Sequence, residues 1–255
     1  MITVTDSPDS ADVLAREDWL ETGFGLEVLR AERAMTASKL PGLFGFHLMQ
    51  LGISRRVSLH DDSAVRHRFQ IAQHTGHGQF AAVAAAEALP FGADSIDVAL
   101  LHHALEYSPD PHQLLREAAR VVVPHGHLMV IGFNPWSLFG LCSLPGRHLG
   151  HPVWRSRLLG VRRVCDWLKL LDFGIDDVQY RVFGPPTDHG PTLRRLRVID
   201  DMAARWPIPG GAVYLIHARK QHSAVTPVRG VRWRTPPRFA SVPLARPSTR
   251  SPTIH

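Results

Sequence analysis

Short apolar runs alternate with amphipathic segments along this 255-residue chain, and the alternation predicts an α/β domain. Apolar or alternating patterns predict strands at residues 46–51, 96–101, 128–133, 178–182 and 212–216. The run at 96–101 is nearly continuous and is bounded by loop residues, which is typical of a parallel strand covered on both faces. A sheet with helices on both sides is therefore expected.

Two further stretches are candidates for strands. Residues 56–59 follow the first predicted strand closely and have a short apolar pattern. Residues 81–88 are rich in alanine, which favours helix by propensity, but they stand immediately before Leu89-Pro90-Phe91, where a short strand fits the context. We predict a strand there on the basis of position.

The clearest helix start in the sequence is at Asp110 and Pro111. An aspartate can cap free backbone N–H groups, a proline suits the first helical position, and Gln113 completes a capping box. The residues between 96 and 133 then form a strand, helix and strand, and such a crossover unit gives a parallel sheet with right-handed connections. Amphipathic spacing predicts further helices: one or two within residues 18–40, one at 161–171 and one at 193–206.

Charge is distributed unevenly and divides the chain into three parts. The net charge is +6, and the six arginines of residues 221–255, a segment with no acid, equal that excess. This tail is rich in proline and serine and lacks any helical or strand period, so we expect it to be disordered. We predict an acidic N-terminal extension at 1–17, one domain at 18–220 and a disordered basic tail at 221–255.

Neither a signal peptide nor a membrane span is predicted. The N-terminus is acidic and has no apolar core, and no run of about 18 apolar residues occurs. Cys142 and Cys165 are the only cysteines, both in apolar surroundings, and we expect buried thiols in a reducing compartment. A soluble cytoplasmic protein with no membrane contact follows, of undetermined oligomeric state.

Residues 89–134 resemble the second half of the type 11 methyltransferase domain. The matching motifs follow one another in the family's order and spacing: Leu89-Pro90-Phe91, Ser95-Ile96-Asp97-Val98, Asp110-Pro111, Leu115-Arg116-Glu117, Arg120-Val121 and Pro124-His125-Gly126. The resemblance, which extends over about 18–220, is to a bacterial branch of the class I S-adenosylmethionine-dependent methyltransferases. It implies a Rossmann-like, seven-stranded, mostly parallel sheet with helices on both faces and an antiparallel last strand.

The same resemblance implies that S-adenosylmethionine is the cofactor and lies across the carboxyl ends of the first strands. The family's D-x-G-x-G-x-G loop corresponds to residues 50–56, where only one glycine of the pattern remains. An acid that binds the ribose would be Asp61 or Asp62, which implies that the helix between the first two strands is shortened or lost. The predicted cofactor-binding residues are Gln50, Gly52, Asp61, Glu87, Ala88, Leu89 and His102.

His102 and His103 are the candidate catalytic residues, since the positions after the fourth strand face the methyl group in this family. A histidine titrates near neutral pH and can accept a proton from an incoming nucleophile. The alternative is that one of the two is packed and the other solvated. The other histidines have no diagnostic spacing for metal ligation, so no metal site is predicted.

Three functions remain open on the sequence alone. The first is a methyltransferase of unknown acceptor, with a small molecule favoured. Trp136, Phe139 and Trp154 make residues 135–160 apolar and aromatic, which is compatible with a small planar substrate or with a lid that packs on the sheet. The second is a catalytically silent methyltransferase-like binding or regulatory protein, which the lost glycines favour. The third is a nucleic-acid-associated protein that binds through the arginine-rich tail by counterion release.

Overall fold

A computed structural model of the chain describes residues 8–52, 54, 56–72, 82–83, 88–146, 157–187, 200 and 209–221. Met1–Ser223 forms one compact unit. In chain order the elements are α1 (Pro8–Leu20), α2 (Gly23–Ala37), β1 (His47–Gly52), β2 (His67–Ala72), β3 (Ala82–Val83), β4 (Ile96–His102), α3 (Ala104–Tyr107), α4 (Pro111–Val121), β5 (Val122–Phe133), α5 (Leu138–Gly146), α6 (Val161–Leu170), β6 (Phe173–Arg181) and β7 (Val213–Lys220). Helix α1 crosses the predicted boundary at residue 18.

The strands form one sheet in the order β3-β2-β1-β4-β5-β7-β6. Strands β1 to β5 pair in parallel, and β7 is antiparallel to both β5 and β6. The α/β class and the mostly parallel sheet are therefore confirmed. Strand β3 contributes only a two-residue pairing at the edge. The chain order reverses between β1 and β4, and open α/β sheets bind ligands in the crevice at such a switch point.

Helices cover both faces of the sheet because alternate strand residues point to opposite sides. On one face Leu48, Val98 and Leu100 share a buried cluster with residues of α1 and α2. On the other face the neighbouring residues of the same strands pack with α4 and α6. Burial on both sides accounts for the nearly continuous apolar run of β4.

Helix α4 begins where the sequence predicts. The Asp110 side chain accepts hydrogen bonds from the backbone N–H groups of His112 and Gln113, at 3.1 and 3.0 Å. Strand β5 follows directly at Val122, six residues before the predicted start at residue 128. The predicted strand at 46–51, the helix at 161–171 and the final strand are likewise present as β1, α6 and β7.

The predicted strand at residues 56–59 is wrong. The side chain of Gln50, in β1, donates to the Val57 carbonyl at 2.7 Å and accepts from the Leu59 N–H at 2.9 Å, so no neighbouring strand supplies these bonds. Strand β2 lies later, at His67–Ala72. No helix occurs among the described residues that join β1 to β2, namely 54 and 56–66, in agreement with the predicted loss of that helix.

Several expectations fall on residues outside the described ranges, including most of the 193–206 helix and all but the first residue of the basic tail. No described helix is both long and apolar enough to cross a bilayer. Both cysteines are free thiols. Cys142 is exposed, which corrects the expectation of burial, and Cys165 is half-buried.

Asp97, part of the Ser95–Val98 motif, provides a test of what holds β1 in place. Its Oδ2 accepts from the backbone N–H groups of Phe46 and His47, both at 2.9 Å. Replacing Asp97 with alanine removes both bonds and should lower the free energy of unfolding by about 1–2 kcal/mol. Urea denaturation of Asp97→Ala measures this, with the exposed Asp62→Ala as control. Equal stabilities of the two variants would contradict this role.

Candidate active site

The carboxyl ends of β1 and β4 meet at Gly52 and His102, which are paired in register. A Cβ atom placed on Gly52 would lie 3.3 Å from the His102 Cβ and 3.4 Å from its Nδ1. This contact is tighter than most that side chains make, so the glycine permits the close approach of the two strand ends. The pair stands at the switch point of the sheet, where a ligand crevice is expected.

A buried carboxylate from α2 joins the two candidate histidines. Glu32, His102 and His103 have no solvent exposure. The Glu32 carboxylate contacts Nε2 of His102 at 3.0 Å and Nε2 of His103 at 2.6 Å. Burial acts to raise the pKa of Glu32, but the interactions of its carboxylate with His102 and His103 outweigh burial and lower the pKa to about 2. An ionised carboxylate only accepts hydrogen bonds, so both rings carry a proton on Nε2.

His103 also contacts a second carboxylate, because its Nδ1 lies 2.8 Å from Glu106. Burial acts to lower the pKa of His103, and the charges of Glu106 and Glu32 overcome it and raise the pKa to about 10. The imidazole is therefore cationic at neutral pH and donates from both ring nitrogens. His103 has no lone pair available for a substrate proton. Its backbone is left-handed, with φ of 52°, where the chain turns from β4 into α3.

Glu106 connects this network to β5 and β7. Its Oε1 accepts the backbone N–H of Phe133, and burial raises its pKa while His103 opposes the shift. A Cβ on Gly132 would lie 2.6 Å from the Tyr214 hydroxyl and 3.0 Å from Glu106 Oε1, so only glycine fits between them. Burial, and secondly the charge of Glu106, raises the pKa of Tyr214 well above its usual value.

His102 differs from His103 at its second ring nitrogen. His102 Nδ1 is buried and has no hydrogen-bond partner among the residues that the structure describes. With Nε2–H donating to Glu32, Nδ1 is the one ring nitrogen of His102 that is left for a further hydrogen bond. That atom lies on the side of the ring next to Gly52. A buried polar atom with no described partner, at the switch point where open α/β sheets bind ligands, is a candidate contact point for a bound ligand.

The side chains of Gln50 and Asp61, two of the predicted cofactor-binding residues, form hydrogen bonds with other residues of the chain. The amide of Gln50 is fully buried and bonded at both ends to residues 57 and 59. Asp61 lies in the turn before β2 and accepts from the Ser58 hydroxyl at 2.7 Å. The ribose acid was expected at the carboxyl end of the second strand, and Asp61 is misplaced because β2 begins only at His67.

Residues 88 and 89, also predicted to bind the cofactor, are likewise not part of the Gly52–His102 pair. The Leu89 N–H donates to Glu117 and the Leu89 carbonyl accepts from Arg120, which fastens this backbone to α4. Ala88 is exposed, and Glu87 lies outside the described residues. Of the predicted cofactor-binding residues that the structure describes, Gly52 and His102 are brought together, paired in register at the ends of β1 and β4.

A cavity of about 450 Å³ opens beyond the carboxyl end of β5, which is within the size range of small-molecule sites. It is lined by Asn134, Trp136, Gly160, Val161, Arg162, Tyr180 and Pro209. A second cavity of about 320 Å³ adjoins Trp136 on the side of α5, and the Trp136 side chain is 84% exposed. Phe139, expected near the acceptor, is instead buried in the core and stacks on Phe133. Trp154 is not among the described residues.

Glu32 is a residue of the site that the family's motifs do not identify. A signal was present, since Glu32 falls four residues after Val28 and three before Met35, and both are fully buried. An acid at such a position lies on the apolar stripe of its helix, and a buried charge requires a partner. The position of Glu106 just after β4 is enough to place it near the site. Its contact with Phe133 of β5 cannot be predicted from the sequence, because the two residues are far apart along the chain.

Comparisons with known proteins relate this chain to methyltransferases. A profile of the type 11 methyltransferase domain matches residues 42–130. The Escherichia coli protein YafS is 32% identical over 217 residues, which cover 84% of this chain and 85% of YafS. A methyltransferase of Mycolicibacterium vanbaalenii is 27% identical over 173 residues, covering 68% of this chain and 59% of that protein.

Solved structures share the fold at low sequence identity. A Haloferax volcanii protein described as a methyltransferase, solved with the Trm112 methyltransferase activator, has a TM-score of 0.58 at 17% identity and covers 86% of this chain and 100% of its own. An S-adenosylmethionine-dependent methyltransferase of Thermotoga maritima has a TM-score of 0.56 at 17% identity, covering 82% of this chain and 99% of its own.

The charge network makes a prediction about stability and pH. The folded-state pKa of His103, about 10, lies above its ordinary value of 6.5. Its contribution is therefore complete below about pH 6.5 and is lost as the pH rises towards 10. The lowered pKa of Glu32 acts in the opposite direction, and its contribution is lost only as the pH falls below about 4.5 towards 2.

We expect the urea midpoint to fall between pH 6.5 and pH 10 in the unmodified protein and to fall much less in His103→Gln. The comparison is made by urea unfolding at a series of pH values. His67→Gln, at an exposed position on β2, is the matched control and should keep the alkaline decline. An equal decline in His103→Gln would show that His103 is not the titrating group.

Proposed function

This chain belongs to the type 11 family of class I S-adenosylmethionine-dependent methyltransferases, and from that membership we propose that it methylates a small planar acceptor held beside Trp136. When bound, S-adenosylmethionine supplies a methyl group on a sulfonium, which the acceptor atom attacks in line. The observation that carries the proposal is the pairing of Gly52 with His102 at the switch point. Beside the glycine, the buried Nδ1 of His102 has no partner within the described ranges.

Gly52 and His102 are the residues that would receive the cofactor. Gly52 presents backbone without a side chain at the crevice, which allows close approach. The glycine is retained from the family's loop although the other two are not, and its contact with His102 gives a reason, since a larger residue would press on the ring. His102 closes the crevice from the β4 side.

We assign the role of general base to His102 rather than to His103. Glu32 holds the His102 ring through Nε2–H and leaves the Nδ1 lone pair to accept a proton. A base oriented by a carboxylate on its far nitrogen is a recurrent arrangement in enzymes. It serves an acceptor whose nucleophilic atom carries a proton, such as a hydroxyl or an amine. His103 is a positioning residue that keeps Glu32 ionised and in place.

The cavity beside Trp136 is the proposed acceptor site. It lies past the end of β5, next to the strand that carries His102. The exposed indole offers a flat apolar surface on which a planar ring can stack. Arg162 on the cavity wall favours an acceptor with an acidic substituent. These features support a small aromatic acceptor over a large polymer.

A specific observation favours a second candidate function, a catalytically silent protein with a methyltransferase fold. Gln50 replaces the acid at the end of β1, and its amide is occupied by residues 57 and 59 of the chain itself. The described part of the β1–β2 connection has no helix that could present its N-terminus to a ligand. Such a protein would bind a partner or a metabolite without transferring a methyl group.

Cofactor binding separates the two candidates. Isothermal titration calorimetry with S-adenosylhomocysteine should give binding to the unmodified chain, weakened at least about tenfold in Gly52→Val, because a branched side chain there presses on His102. Gly92→Ala is the matched glycine control, since its added Cβ would have no neighbour within 4 Å. Failure of the unmodified chain to bind at millimolar concentration would favour the silent protein.

The base role of His102 is tested by catalysis. Formation of S-adenosylhomocysteine is measured with a panel of planar phenols and aromatic amines. His102→Asn should slow turnover by about 10²–10⁴-fold, the usual contribution of a general base, while S-adenosylhomocysteine affinity changes far less. His67→Asn serves as the control at an exposed position. An unchanged rate in a folded His102→Asn variant would remove His102 from the mechanism.

A further inference from the structure

A cluster of two histidines and an aspartate lies on the sheet away from the crevice, at the amino end of β5. Nδ1 of His127, in β5, lies 3.0 Å from Nε2 of His217, in β7. A ligand atom of Asp176, in β6, completes a set whose members all lie within 4.8 Å of one another. We propose that His127, Asp176 and His217 bind a zinc ion.

The spacing of the two imidazoles fits tetrahedral zinc. Zinc–nitrogen bonds of about 2.0–2.1 Å at a tetrahedral angle separate two nitrogens by about 3.3 Å. The observed 3.0 Å requires the rings to part by a few tenths of an ångström. The rings are roughly stacked, with centroids 5.1 Å apart and planes at 29°, so a small sliding motion achieves this.

A bulge in β6 brings the carboxylate to the same face. Ile175 pairs with Ala218 and Asp177 pairs with His217, with a register shift between them. Ile175 and Val178 both pack against the α4 and α6 side, three residues apart rather than two. The intervening Asp176 and Asp177 are therefore both directed towards the face of His127 and His217, as bulges commonly re-aim side chains.

The surrounding charges leave Asp176 as the available carboxylate. Asp177 is paired with Lys39 at 2.6 Å. Asp176 lies 3.7 Å from Arg219, a long contact with an exposed guanidinium that a divalent ion can displace.

Two imidazole nitrogens and one carboxylate oxygen are a ligand set typical of zinc, with the fourth position left to water. His127 is half-buried and Asp176 exposed, so an ion can enter from solvent. The three ligands come from three adjacent strands, β5, β7 and β6, and an ion bound there would cross-link this half of the sheet. The ion would therefore stabilise the fold and take no part in methyl transfer.

The other triad of this kind, Glu32, His102 and His103, is fully buried and belongs to the candidate active site. A useful control is the pair His47 and His67, whose Nδ1 atoms are 3.1 Å apart on β1 and β2. The two histidine pairs share their spacing, but no third ligand completes the His47–His67 pair within the described part of the chain. A comparison of zinc binding by the two histidine pairs therefore shows what the Asp176 carboxylate adds to the affinity.

The experiment is calorimetric titration of zinc chloride into the full chain after chelator treatment and dialysis. We expect one tight site in the unmodified chain and a rise in the melting temperature when zinc is added. His127→Gln/His217→Gln should abolish that site, and Asp176→Asn should weaken it at least about tenfold. His47→Gln/His67→Gln and His102→Asn should both keep it.

The proposal is overturned if the unmodified chain shows no tight site, or if the site survives in the double variant of His127 and His217. It is also overturned if Asp176→Asn binds zinc as tightly as the unmodified chain. Asp176 is exposed, so this variant is expected to fold even if the double histidine variant does not. A loss of zinc binding in the His47 and His67 variant would instead place the site on β1 and β2.

Discussion

Glu32 supplies a negative charge in the middle of the protein, and the arrangement of the crevice depends on how that charge is compensated. Burying an unpaired carboxylate is costly, and it is tolerated here because two imidazoles surround it. The same contacts dock α2 on the end of β4. They also determine the contacts of each ring, since His103 is held between two carboxylates whereas Nδ1 of His102 has no partner among the described residues. The docking of α2 and the hydrogen bonds of both histidine rings therefore depend on the Glu32 carboxylate.

Much of the fold could be predicted because local signals agreed with the tertiary structure. The cap at Asp110, the apolar run of β4 and the alternation in β6 each had a local cause, and each element formed as expected. The prediction of a strand at residues 56–59 failed because of a tertiary contact. The backbone carbonyl of Val57 and N–H of Leu59 bond to the amide of Gln50 and not to a neighbouring strand. Strand β2, at His67–Ala72, was not predicted.

The site was harder to predict than the fold. His102 and Gly52 were found through the family's motifs, whereas Asp61 was assigned by counting from a strand that does not exist at 56–59. The role of Glu32 depends on a contact with residues 70 positions away. The histidines and aspartate of the proposed zinc site are also far apart in sequence, and a bulge, which has no sequence signature here, brings the aspartate to the right face.

The amide of Gln50 limits which side chains position 50 can hold. It bonds a carbonyl and an N–H of the β1–β2 connection, a combination that an amide satisfies and a carboxylate does not, because a carboxylate cannot donate to the Val57 carbonyl. An acid at position 50 would therefore leave a buried charge against an oxygen. Residue 50 and the path of residues 57–59 can change only together, so a single substitution that introduces the acid would cost stability.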